Sequence, residues 1–293
     1  MRLGIDLGGT KIEIVALAND SVELLRRRVP APRGEYLATV MAVADLVKDT
    51  ENELGQRGSV GVGIPGAESR VTGLIKNANS TWLIGRPLRR DLQDVLQREV
   101  RLANDANCFA LSEATDGAAA GAEVVFGVIL GTGVGGGIVV HGKVLAGANA
   151  IAGEWGHNRL PGDEPDWPSC YCGRNGCVET FLSGPGLKRD HAQKNGEIVD
   201  PVDIGVRGAA GDAACEATLQ RYEKRLARAL AEVINILDPD AIVLGGGLSN
   251  LDRLYEHVPN LWAEHVFSDC VATRLIKNRH GDASGVRGAA WLW

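Results

Sequence analysis

The sequence predicts an α/β protein of two related domains facing each other across a cleft, and three observations carry that expectation. A strand, a glycine-rich turn and a second strand occur twice, as GIDLGGTKIEIVALANDSVELL over 4–25 and as GVILGTGVGGGIVVHGKVLAG over 127–147. Gly4 answers to Gly127, Leu7 to Leu130 and Gly8 to Gly131, and each copy runs on through a short polar turn into a third strand. The polar cluster NDAN at 104–107 ends a strand and opens a helix, which is where open α/β sheets bind ligands. A length of 293 residues is ample for two packed cores.

In chain order, residues 2–6 read as a strand ending on Asp6, followed by LGGT, a strand over 11–17 and a third over 22–28. The turn exposes backbone N–H groups that can hold phosphate, and Asp6 can orient a hydrated Mg²⁺. A plain hairpin whose glycines satisfy positive φ is the alternative. Residues 36–54 carry a helical apolar stripe of Leu37, Val40, Met41, Ala44, Leu46 and Val47, and 60–64 return to strand. The stretch IPGAESRVTGLIKNANSTWLIGRPL is loop, with Trp82 as its anchor. A short helix over 87–97 and a strand over 100–103 then deliver Asn104, Asp105 and Asn107. Taken alone, Asp105 reads equally as a helix N-cap.

The second glycine turn, Gly131, Thr132, Gly133, Val134, Gly135 and Gly136, repeats the first. A dinucleotide fingerprint is excluded, because such glycines join a strand to a helix, whereas 138–140 continues as strand. A Walker A loop lacks its Gly-Lys-Ser/Thr, and Gly8 stands where a DxDx(T/V) phosphatase needs its second acid. Residues 180–211 read as irregular and partly helical, and 212–237 as the longest helix, with Leu219, Leu226, Leu230, Val233 and Ile234 on one stripe. A buried strand over 241–244 leads into GGG, where Gly245 and Gly246 either border a nucleobase or ribose or make a simple tight turn. A further helix and a strand over 273–277 precede a small-residue helix over 284–293, whose terminal WLW reads as core packing.

Between these lies GEWGHNRLPGDEPDWPSCYCGRNGCVE, 153–179. Cys170, Cys172 and Cys177 supply three soft ligands, and His157 completes a tetrahedral set that suits structural zinc. Three reduced thiols or a disulfide are the alternatives, although Cys170 and Cys172 are too close in sequence for ordinary disulfide geometry. Bound metal would fix the acids of this loop in space. Together the pieces describe phosphoryl transfer: two hairpins for polyphosphate, Asp6 for Mg²⁺, and Asp105 as base for an acceptor hydroxyl. Asn104, Glu154 and Glu179 are placed to hydrogen-bond other hydroxyls of a polyol.

Composition narrows the field further. The net charge of −6 argues against nucleic acid. No apolar run reaches membrane-span length and the chain opens on a strand, so no membrane partner and a cytoplasmic location are expected. DLGGTK, NDAN, GTGVGGG, GEWGH with C-x-C-G-x2-G-C, and LGGGLSN together resemble the ROK family of repressors and sugar kinases over essentially the whole chain. The resemblance implies a two-domain actin-like/hexokinase (ribonuclease H-like) α/β fold with an interdomain cleft, ATP and Mg²⁺ dependence, a homodimer, and phosphorylation of a free sugar. Residues 1–116 with 281–293 would form the smaller domain, and 117–280 the larger. Asp105 would be the base, with Asn104, Glu154, His157 and Glu179 on the sugar. Nucleotide would meet Gly4, Ile5, Asp6, Leu7, Gly8, Gly9, Thr10, Lys11, the 131–136 turn, Gly245 and Gly246. Zn²⁺ would be held by His157, Cys170, Cys172 and Cys177. NANSTW, AGEWGHN and SGVRGAAWLW are most similar to the family's fructokinases, while NDANCFALSEA is equally similar to its N-acetylglucosamine kinases. The NANSTWL loop should lie near the sugar, so fructose is the expected substrate, with N-acetylglucosamine, glucose or a sugar-sensing regulator as alternatives.

Overall fold

The computed structural model describes all 293 residues. Strands β1 (Arg2–Leu7), β2 (Lys11–Leu17) and β3 (Glu23–Pro30) form an antiparallel meander. Helix α1 (Tyr36–Leu54) leads to β4 (Ser59–Ile64), parallel to β1. A two-stranded hairpin, β5 (Ala67–Glu68) with β6 (Ile75–Lys76), and helix α2 (Leu88–Leu96) lead to β7 (Val100–Asn104), parallel to β4, and then to α3 (Asp105–Thr115). The sheet order is β3-β2-β1-β4-β7. The chain then repeats the plan. Strands β8 (Val124–Leu130), β9 (Val134–Val140) and β10 (Lys143–Val144) are followed by helices α4 (Val178–Leu182), α5 (Gly184–Asn195), α6 (Pro201–Ala209) and α7 (Ala213–Leu237). Strand β11 (Ala241–Gly245), helix α8 (Leu254–Trp262), strand β12 (Arg274–Lys277) and helix α9 (Ser284–Ala290) complete it, in the order β10-β9-β8-β11-β12.

The chain resolves into two compact units, one of 1–121, 137–152 and 279–293, the other of 122–136 and 153–278. In the first, Leu3, Ile5, Ile12 and Ile14 of the meander meet Val40, Val43 and Val47 of α1 in a closed core. Helix α9 lies almost on bare backbone. A Cβ at Gly288 would sit 1.7 Å from Cys108 O, and one at Gly61 would sit 1.9 Å from Ala289 O, so only glycine fits. No helix is long and apolar enough to cross a membrane.

Several elements differ from expectation for local reasons. The third strand runs Glu23–Pro30, because Ser21 takes a left-handed turn conformation (φ 71°) and Val22 is spent in the turn. In α1, Leu37 and Met41 face solvent, and the buried stripe is Val40, Val43, Ala44, Leu46 and Val47. Residues 180–211 are largely helical. Their signal is capping chemistry more than an apolar stripe: Ser183 Oγ accepts the Gly186 N–H, proline occupies the first turn of α5 and of α6, and Gly196 (φ 74°) closes α5. Asp212 caps α7 by accepting the Ala214 and Cys215 N–H groups. The terminal WLW is half-buried rather than core, with Arg2 stacked over Trp291 and Arg101 over Trp293.

Candidate active site and metal centre

Strand register assembles the first cluster. Asp6 pairs with Gly63, Gly63 with Ala103, and Ile64 with Asn104, so Asp6 and the NDAN turn leave the carboxyl edge of the same parallel strands. Asn104 is the N-cap of α3, its Oδ1 accepting the Ala106 N–H at 2.9 Å while its Nδ2 donates to Gly66 O at 3.1 Å. Asp105 begins the helix, exposed, with Oδ1 also accepting from the Ala106 N–H at 2.8 Å. The expected capping role thus falls to Asn104, and the Asp105 side chain reaches solvent.

Burial pushes the Asp6 carboxyl above the ordinary carboxylate value, and Glu13, its cross-strand partner, adds to this; Lys11 and Arg28 act the other way. Burial likewise raises the Cys108 thiol, helped by Asp6 and Asp105, so Cys108 is an inert thiol close to both acids. In the glycine turn, the Gly8 N–H donates to Lys11 O at 3.0 Å, and Thr10 and Lys11 are exposed. Gly4, Ile5 and Leu7 are buried within β1 and carry the turn from behind.

The second turn borders a cavity of about 930 Å³ in the other unit. Gly131 and Thr132 form one side, Gly184, Pro185 and Lys188 the start of α5, and the exposed Val202 and Val206 of α6 an apolar wall. Gly247, Leu248 and residues 250–253 close it, with Asn250 and Asp252 as polar groups. An apolar wall beside a glycine turn and a helix N-terminus suits a base at one end and phosphates at the other. Gly245 ends β11, and Gly246 (φ 79°) lies so close to β8 that a Cβ would meet Leu130 O at 2.5 Å. Both position Gly247, which lines the cavity.

The ligand atoms of His157, Cys170, Cys172 and Cys177 all lie within 4.8 Å of one another. Cys170 Sγ is 3.6 Å from His157 Nδ1, and Cys172 Sγ is 3.6 Å from Cys177 Sγ. Tetrahedral zinc with ~2.3 Å Zn–S bonds needs sulfurs about 3.8 Å apart, so the four donors fit that ion. Nδ1 is the nitrogen turned to the thiols; His157 Nε2 hydrogen-bonds Tyr171 Oη at 3.0 Å.

This segment also grips the second glycine turn. Glu179 Oε2 accepts the Val134 N–H at 3.0 Å, and Trp155 Nε1 donates to Gly135 O at 3.2 Å. A Cβ at Gly156 would meet Val134 O at 2.1 Å. Glu154 is exposed, just before the buried Trp155.

Sequence reasoning did not single out Glu13, Tyr171, Trp155 or the α5 and α6 residues of the cavity. Glu13 had a signal, a lone acid in an apolar strand facing three arginines: it is 1% exposed and paired with Arg26 and with Arg28, the latter at 2.7 Å. The cavity residues had none, since α6 joins Gly131 only through the fold.

The sequence profile of the ROK family matches residues 2–293. An N-acetyl-D-glucosamine kinase of Yersinia pseudotuberculosis is 40% identical over 300 residues, covering 100% of this chain and 98% of the relative. The ROK hexokinase of Thermus thermophilus superposes with a TM-score of 0.88 at 33% identity, over 99% of this chain and 97% of that one. A ROK glucokinase of Streptomyces griseus, solved with glucose and AMPPNP, gives 0.78 at 25% identity with the same coverage. The fold is therefore the actin-like/hexokinase (ribonuclease H-like) one. The expectation of a fructokinase is corrected, because the named relatives of full length at this identity are N-acetyl-D-glucosamine kinases. The structure supplies a reason. In NANSTWL, Ala78, Ser80 and Leu83 are buried, Ser80 Oγ lies against Gly9, and Trp82 Nε1 donates to Thr39 Oγ1 at 3.3 Å. Much of that segment is scaffold, so its sequence reports packing more than sugar choice.

Proposed function

The chain belongs to the ROK family, and on that premise we propose that it is an ATP-dependent sugar kinase whose acceptor is N-acetyl-D-glucosamine. The observation that carries the reaction class is Asp105, an exposed carboxylate whose backbone is fixed at the start of α3 on the strand edge that also holds Asp6. The acceptor is supported by the full-length relatives of that name. In this reading Asp105 takes the proton of the attacking sugar hydroxyl as its oxygen bonds to the γ-phosphorus and the bond to the ADP oxygen breaks. Asn104, Glu154, His157 and Glu179 orient the sugar, His157 through Nε2, which Tyr171 now engages.

The glycine turns hold the phosphates with backbone N–H groups, and the cavity walled by Val202 and Val206 takes the base. Mg²⁺ bound with the nucleotide would neutralise phosphate charge, and the half-buried Asp6, near the strand edge beside the first glycine turn, is the group suited to hold it. Zn²⁺ on His157, Cys170, Cys172 and Cys177 would be structural, since four protein ligands leave no open position.

The test is ATP consumption with N-acetyl-D-glucosamine, N-acetylmannosamine, glucose, mannose and fructose. N-acetyl-D-glucosamine is expected to give a kcat/KM about tenfold or more above the others. Preference for an unmodified hexose would keep the kinase and reject the acceptor; no turnover with any sugar would reject the kinase.

A further inference from the structure

A second cavity, of about 340 Å³, shares no lining residue with the one assigned to nucleotide. Arg221, Lys224, Arg225 and Arg228 line it from α7 at positions i, i+3, i+4 and i+7, which places four cations on one helix face. Lys194, from the last turn of α5, adds a fifth. Like charges at such spacing repel, so the arrangement needs anions. The protein supplies some of them: Glu164 binds Arg225 at 2.7 Å and Arg228 at 2.5 Å, and Asp190 binds Arg221 at 2.8 Å and Arg225 at 2.7 Å. That leaves Lys194 and Lys224, both exposed at the cavity mouth, without an ion pair. Glu264, the remaining acid of the lining, is exposed and bonded to none of them. A local excess of cations on a chain of net charge −6 is the opposite of what composition alone would place there.

We propose that this cavity binds a phosphate monoester or free phosphate dianion, held by Lys194, Lys224 and the Arg228 guanidinium. Two ammonium groups beside an arginine-lined helix face match a doubly charged acceptor with three oxygens. Glu164 lies in the span between His157 and Cys170, so an anion drawing on Arg228 shares a partner with that loop.

The experiment is calorimetric titration of the full chain with inorganic phosphate and, separately, N-acetylglucosamine 6-phosphate. The protein is saturated with a non-hydrolysable ATP analogue and the acceptor sugar, so that the sites of the proposed reaction are filled. The wild type is expected to bind one anion, and the Lys194→Gln/Lys224→Gln double variant to bind it at least about tenfold more weakly. The variant's kcat and KM for ATP in phosphate-free buffer should stay unchanged. Equal affinity for the two anions identifies a free-phosphate site, and tighter sugar phosphate a site for phosphorylated metabolites of the product's class; either supports the inference. No binding up to about 10 mM, or equal binding by the double variant, overturns it. The sugar-phosphate arm rests on the proposed kinase reading. If no sugar is turned over, that reading falls separately, and the phosphate arm with the nucleotide analogue alone still reads this site.

Discussion

Asp105 shows how a single residue can be legible in sequence while its role stays undecided there. An acid at a helix start is usually a cap. The structure gives the cap to Asn104 and leaves Asp105 exposed beside it, with one oxygen held by the Ala106 N–H. Replacing the proposed base while keeping its shape should therefore affect chemistry and little else. Asp105→Asn is expected to lower kcat by ~10²–10⁴-fold, with sugar affinity, read by equilibrium titration, within a few-fold of wild type. Turnover near the wild-type level would remove Asp105 as the base. Glu13 is the contrasting case. Its sequence signal is a lone acid in an apolar strand, and the pairing of β2 with β3 shows that it is buried against Arg26 and Arg28.

At the scale of elements, the segment over 153–179 does more than bring its own four donors together. Its two ends, Trp155 two residues before His157 and Glu179 two residues after Cys177, hold the backbone of Val134 and Gly135 in the second glycine turn. The four donors were readable from C-x-C-x4-C and one histidine, because metal ligation requires specific residue types. The grip on the turn was not readable, since it depends on backbone atoms 20 and 45 residues away. If the metal orders both ends, its loss should be felt at the nucleotide as well as at the sugar. Cys172→Ser, or chelation of the wild type, is expected to release zinc and raise KM for ATP several-fold together with KM for the sugar. An ATP KM unchanged after confirmed metal loss would sever that link.

For the molecule as a whole, acid sensitivity follows from its ion pairs. The Arg253 guanidinium beside Glu216 pulls that carboxyl down to about 2, and Asp212 is pulled to about 2 by the Cys215 N–H that it caps and by Arg207. Both lie below the unfolded values of about 4. Their stabilisation is thus complete above that value and is lost as pH falls toward 2. The melting temperature is expected to fall progressively between about pH 5 and pH 2, and the Arg207→Gln variant to fall less steeply. A flat profile over that range would contradict the assignment. The fold class was readable at this scale because a duplicated strand–turn–strand pattern survives in local sequence, and the two sheets repeat one order.

By itself the sequence determined most of the elements, the doubled plan, the kinase family and the convergence of His157, Cys170, Cys172 and Cys177, because each rests on local periodicity or on residue types that chemistry requires. Tertiary structure decided what depends on distant neighbours: the α6 wall of the cavity beside the second glycine turn, the hold of Glu179 on Val134, the burial of Glu13 and the cation-lined cavity on α7. It also showed that much of NANSTWL is scaffold, a distinction between packing and contact that a linear motif does not carry.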